Sequence, residues 1–122
     1  MKFKLVIFPT IVILLIACEN QSFLVQIYGV DIPERIDFGQ DIIFKMYCET
    51  PTPGYKFSHI DLKNTGTSVW IKAYAKGKGS QIQVLDSFEA TCSFKPRMRG
   101  IYLFHFWQIY TQEYLVYKVA VQ

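Results

Sequence analysis

Ser68-Val69-Trp70-Ile71-Lys72-Ala73-Tyr74-Ala75-Lys76 decides the fold. Val69, Ile71, Ala73 and Ala75 fall on one side of an extended chain, and Trp70, Lys72, Tyr74 and Lys76 on the other. In a strand, successive side chains point to opposite faces, so this alternation gives one face to a core and one to water. Just upstream, Asn64-Thr65-Gly66-Thr67 is a turn signal between two strands, as in a hairpin. The partner is Tyr55 to Lys63, where Ser58, Ile60 and Leu62 alternate against Phe57, His59 and Asp61.

The same pattern extends outward in both directions. Phe23 to Val30 reads as a first strand and Asp41 to Cys48 as a second, with Ile42, Phe44, Met46 and Cys48 on one face and Ile43, Lys45 and Tyr47 on the other. Thr50-Pro51-Thr52-Pro53-Gly54 interrupts, because proline lacks the backbone donor and fixes φ. Gln81 to Leu85 reads as a short strand. Ser87 to Phe94, Ile101 to Trp107 and Tyr114 to Val121 follow, separated by the basic loop Lys95 to Gly100 and a turn at Tyr110 to Glu113. No stretch after residue 22 carries a sustained helical period with caps. Seven to eight short strands at this spacing predict an all-β, antiparallel β-sandwich, with a small β-barrel as the alternative. The expected interior is Ile42, Phe44, Ile60, Leu62, Val69, Ile71, Phe88, Phe94, Tyr102, Phe104 and Phe106.

The N-terminus follows a different logic. Lys2 and Lys4 precede an apolar run from Leu5 to Ala17, which ends in Leu15-Ile16-Ala17-Cys18. A basic segment, an apolar core and small residues at a cut site make a secretory signal peptide. The run of about 13 residues is short of the roughly 20 needed to span a bilayer, and Pro9 weakens a helix there. Leu-Ile-Ala-Cys resembles the lipobox of bacterial lipoproteins. That resemblance implies a diacylglyceryl group on Cys18 and cleavage before it, hence a signal peptide at 1–17, a lipidated cysteine with a short tether at 18–22, and one domain at 23–122. Glu19 follows the cysteine; an aspartate there resembles an inner-membrane retention signal, so its absence leans towards anchorage in the outer membrane.

Gly100-x-Tyr102 at the start of a strand resembles the opening of strand F in immunoglobulin-like domains, where a tyrosine corner closes a turn. The resemblance puts the usual inter-sheet cysteine two residues on, and there the chain has Phe104. Lipobox and strand pattern together resemble the small immunoglobulin-like lipoproteins of Gram-negative bacteria.

Without Lys2 and Lys4 the 13 basic residues fall to 11, against 10 acidic. That balance does not point to nucleic acid, which favours a clearly basic face. With Cys18 taken by lipid, Cys48 and Cys92 remain. Both lie on inward faces and the implied compartment is oxidising, so a Cys48–Cys92 disulfide is expected. The chain has two histidines and no Cys-x-x-Cys, so neither metal site nor cofactor is expected.

Chemical motifs are sparse. The chain has no Gly-x-Ser-x-Gly, phosphate loop or His-Glu-x-x-His. Ser58 and His59 are strand neighbours, whose side chains should point apart. The expectation is therefore a non-enzymatic binding or accessory module of the cell envelope. Its outward aromatic residues Tyr47, Trp70, Tyr74 and Trp107, with His105 beside them, are candidates to bind glycan or protein. Two other classes stay open. A protease inhibitor would need a protruding loop such as Thr50–Tyr55, and a small hydrolase would need His59, Asp61 and His105 in one cleft. The basic tips Lys76/Lys78 and Lys95/Arg97/Arg99 are candidates to meet anionic partners or lipid headgroups.

Overall fold

A computed structural model describes residues 22–78, 82 and 84–122. The expected signal peptide 1–17, Cys18, Gln81 and Gln83 lie outside these residues. The expected Gln81–Leu85 strand is corrected, because Ile82, Val84 and Leu85 belong to no strand. Among the described residues the chain forms β1 (Phe23–Leu24), β2 (Gln26–Asp31), β3 (Arg35–Ile36), β4 (Ile42–Thr50), β5 (Tyr55–Thr65), β6 (Ser68–Gly77), β7 (Asp86–Phe94), β8 (Gly100–Gln108) and β9 (Glu113–Val121). The fold is an all-β sandwich of two sheets. Seven strands have six or more residues, and β1 and β3 are two-residue pieces. The smaller sheet is β2-β4-β7. The larger runs β6-β8-β9-β3, with β5 on the other edge of β6 and β1 beside its C-terminal end. The sheets remain separate, so the barrel alternative does not apply.

Pairing departs from a wholly antiparallel scheme in two places. β6 pairs β8 in parallel, and β3 pairs β9 in parallel. In the first case the chain leaves β6, crosses to the smaller sheet as β7, and returns as β8 pointing the same way. The N-terminal segment also differs from a single strand. Phe23 and Leu24 pair with β6, Val25 donates its N–H to the Ala73 carbonyl at 3.0 Å, and the chain then switches to β4 as β2. Buried Gln26 holds this crossing. Its Oε1 accepts the Tyr110 N–H at 2.9 Å and its Nε2 donates to the Ile27 carbonyl at 3.1 Å.

The core lies between the sheets and follows the alternation. Ile42, Phe44, Met46 and Cys48 come from β4; Val69, Ile71, Ala73 and Ala75 from β6; and Tyr102, Phe104 and Phe106 from β8, all buried. Ile60, Leu62, Phe88 and Phe94 pack against them, partly buried. Phe44 sits 5.9 Å from Phe104 and 5.6 Å from Phe106, centroid to centroid. Each large buried side chain contributes roughly 1.5–3 kcal/mol, and tilted or edge-to-face aromatic pairs add to that.

Tyr102 closes a tyrosine corner. Its hydroxyl donates to the Met98 carbonyl at 3.0 Å and accepts the Met98 N–H at 3.4 Å. This ties the basic loop 95–99 to the start of β8. Phe104 is fully buried, and Phe94 stands edge-on to it at 5.7 Å.

The expected disulfide is corrected by register. Cys48 and Cys92 do share adjacent strands and an inward face, but Cys48 is opposite Phe88 and Cys92 is opposite Phe44. That offset of four residues is about 13 Å at roughly 3.3 Å per residue, beyond the roughly 7 Å that a bridge spans between Cα atoms. Both thiols are free. Burial, with Cys92 nearby as a lesser cause, pushes the Cys48 thiol up to about 12. Burial also raises Cys92.

Candidate functional site

The outer face of the larger sheet gathers the aromatic and charged side chains that alternate with the core. Register sets them in rows. Lys63, Trp70, His105 and Val116 stand side by side across β5, β6, β8 and β9. Beside that row, Asp61 faces Lys72 and Trp107 faces Tyr114. His59 faces Tyr74 one row further on.

Ring contacts organise this surface. Trp70 and His105 stack at 4.9 Å and 12°. The His105 Nδ1 lies 3.1 Å from the Val69 carbonyl. A carbonyl can only accept, so Nδ1 carries the proton and the imidazole plane is held under the indole. Trp107 meets Tyr114 at 4.9 Å, and the Lys72 ammonium stands 5.8 Å from the Trp107 centroid, within cation–π range. These contacts hold Trp70 and Trp107 as half-buried rings.

Next to them a shallow groove of about 350 Å³ opens, lined by Asp61, Lys63, Thr65, Trp70, Lys72 and Tyr114. It combines two aromatic rings, two ammonium groups, a carboxylate and two hydroxyls. Such a set can stack on a flat apolar face and hydrogen-bond polar groups around its rim. Tyr114 and Lys63 were not among the sequence candidates, and Asp61 was one only for a hydrolase cleft. Their signal was their phase: each lies on the outward side of its strand, one step across the sheet from Trp70, Lys72 or Trp107.

Of the sequence candidates, Trp70 lines the groove and Trp107 flanks it through Tyr114. Tyr74 is four positions along β6 from Trp70 and stacks on His59 at 4.6 Å and 4°. Tyr47 does not belong with them. It sits on the outer face of the smaller sheet, across the sandwich, against Gly29 and 6.2 Å from Tyr28. Outwardness alone does not say which sheet a residue faces out from.

The geometry also bears on the other two classes. A bulge between Phe57 and His59 breaks the alternation of β5. Ser58 Oγ and His59 Nδ1 therefore come within 2.9 Å, where strict alternation would have parted them. His59 is on β5 and His105 is on β8 with its Nδ1 committed to Val69, while Asp61 lines the groove with neither histidine. The three do not form one cleft. Thr50–Tyr55 is no protruding loop. It is a tight turn from β4 to β5, and the buried Thr50 hydroxyl donates to the Thr52 carbonyl at 3.1 Å. Among the described residues no group of three or more His, Cys, Asp or Glu side chains is placed to hold a metal.

Comparison with family models, curated proteins and solved structures finds no match.

Proposed function

We propose that this chain is a lipid-anchored envelope lipoprotein whose β-sandwich recognises carbohydrate, as a non-enzymatic binding module, through the outer face of its larger sheet. One observation carries the recognition part. Trp70, fixed by its stack on His105, shares a single groove with Lys63, Lys72, Asp61, Thr65 and Tyr114. A pyranose offers C–H faces that stack on aromatic planes and hydroxyls that bond to charged side chains around them. The groove is open and shallow, which suits the end or side of a chain of sugars.

The anchoring part rests on Leu15-Ile16-Ala17-Cys18 behind its basic and apolar segments. Glu19 favours the outer membrane over retention in the inner one. The module would then work outside the cytoplasm, tethered close to its membrane.

The test is a glycan array probed with the processed, acylated protein in detergent, with Trp70→Ala beside it. Binding to a defined set of glycans that Trp70→Ala abolishes supports the reading. Capture of an envelope protein through the same face, with the array blank, would replace carbohydrate by a protein ligand. Unchanged glycan binding by Trp70→Ala would move the site elsewhere.

A further inference from the structure

The chain enters the sandwich at one end, and that end is rich in exposed apolar side chains. Phe23 pairs with Ala75 near the C-terminal end of β6. Around this entry lie the 51–54 turn, Val84 and Leu85 just before the start of β7, where Asp86 pairs Thr50, and the turn after β8. Tyr110 is 61% exposed, Val84 57% and Leu85 63%. Phe23, Leu24, Pro51, Ile109 and Tyr110 line one small depression, together with Val25 and Glu49. The turn bearing Tyr110 is tied to the entering strand, because its N–H donates to the buried Gln26 side chain.

The length of chain before β1 decides what covers this end. From Cys18 to Phe23 is five residues, at most about 18 Å when fully extended. Whether residue 18 carries acyl chains or the apolar run 5–17 is retained, the point of attachment lies that close to Phe23. An anchor at residue 18 would therefore keep the end with Tyr110 and Leu85 close to the bilayer surface. Strands of nine to eleven residues keep the opposite end, with Lys95, Arg97 and Arg99, roughly 30 Å further out. Charge is balanced near the entry: Lys56, Lys76 and Lys78 stand against Glu49, Asp86 and Glu113. Contact would thus rest on apolar side chains and a tyrosine, a combination suited to the headgroup boundary.

We infer that the entry end of the sandwich, with Tyr110, Val84 and Leu85 at its tip, docks onto the lipid headgroup region and holds the domain upright. This rests on the anchoring part of the reading above and not on the carbohydrate part. Docking leaves the groove on the side wall, reachable by a ligand lying along the membrane.

The experiment uses the full, processed protein reconstituted in phosphatidylcholine vesicles, with either ordinary or brominated acyl chains. Tyr110→Trp places a fluorophore at the entry end and Phe38→Trp one at the far end; both positions are exposed, so folding should tolerate the change. The wild type supplies the background of Trp70 and Trp107. The added emission of Tyr110→Trp should be lost in brominated lipid, and that of Phe38→Trp should not. The loss should persist in high salt, since charge is balanced. Equal emission of Tyr110→Trp in both lipids, in protein shown by mass to be acylated and shown to float with the vesicles, would overturn docking and leave anchoring intact. Protein that neither carries acyl chains nor floats would overturn both.

Discussion

At the residue scale, three side chains illustrate what burial and pairing decide. Tyr102 is buried, yet its hydroxyl is satisfied by Met98. Tyr102→Phe should therefore lower stability by about 1–3 kcal/mol, the net worth of the two hydrogen bonds to Met98, and leave ligand binding unchanged. Denaturant unfolding with a constant m-value checks this. Cys48 and Cys92 carry a second prediction. Under non-reducing conditions the mature protein should show both as alkylatable thiols once unfolded, with no loss of two hydrogens in its mass. Their raised pKa values also set a pH dependence. A thiol whose folded pKa lies above its unfolded value stabilises the fold while both states are protonated, and that contribution disappears as pH rises through the folded value. Stability should thus decline from about pH 9 towards pH 12 for Cys48, and Cys48→Ala should shallow that decline in a pH series of melts. Sequence placed both cysteines inward correctly. It could not give the register between β4 and β7, since alternation has period two and repeats at every even offset.

At the element scale, alternation held wherever a strand was regular and failed where one was not. Ser68 to Lys76 and Ile101 to Trp107 put the expected residues in the core. The hairpin at 64–67 also held: Gly66, at φ 62°, takes the positive φ of a type II′ turn at the first loop position. In β5 the bulge at Ser58 lets both Phe57 and Ile60 pack against the core, and no residue type there announces it. The parallel pairing of β6 with β8 was equally hidden, because strand pattern carries no direction. One glycine at this scale gives a sharp prediction. Gly77 ends β6 at φ 123°, and a Cβ there would stand 2.6 Å from the Gly54 carbonyl oxygen. That oxygen is backbone in the turn joining β4 to β5 and has little freedom to move. Gly77→Ala should destabilise by about 1–3 kcal/mol from backbone conformation, with the steric shift added. A Gly77→Ala protein that melts with the wild type would show that this turn is looser than the contact implies.

At the scale of the whole molecule, the two sheets give the protein two outer faces of different character. The smaller sheet shows Tyr28, Tyr47 and an exposed Lys45–Glu89 ion pair at 3.6 Å, which is worth little on its own. The larger sheet shows the stacked Trp70 and His105, the Trp107–Tyr114 pair and the groove between charged strands. Sequence named most of the aromatic residues of the second face but merged Tyr47 into it, because the assignment of strands to sheets is a tertiary property. The most direct measurement is titration of a glycan retained by the array against wild type, Trp70→Ala and Tyr47→Ala, with melting temperatures taken alongside. Trp70→Ala should weaken binding by roughly 2 kcal/mol or more, about thirtyfold, at nearly unchanged melting temperature, while Tyr47→Ala should bind as the wild type does. Loss of binding in Tyr47→Ala with full binding in Trp70→Ala would place recognition on the smaller sheet and contradict the proposed site.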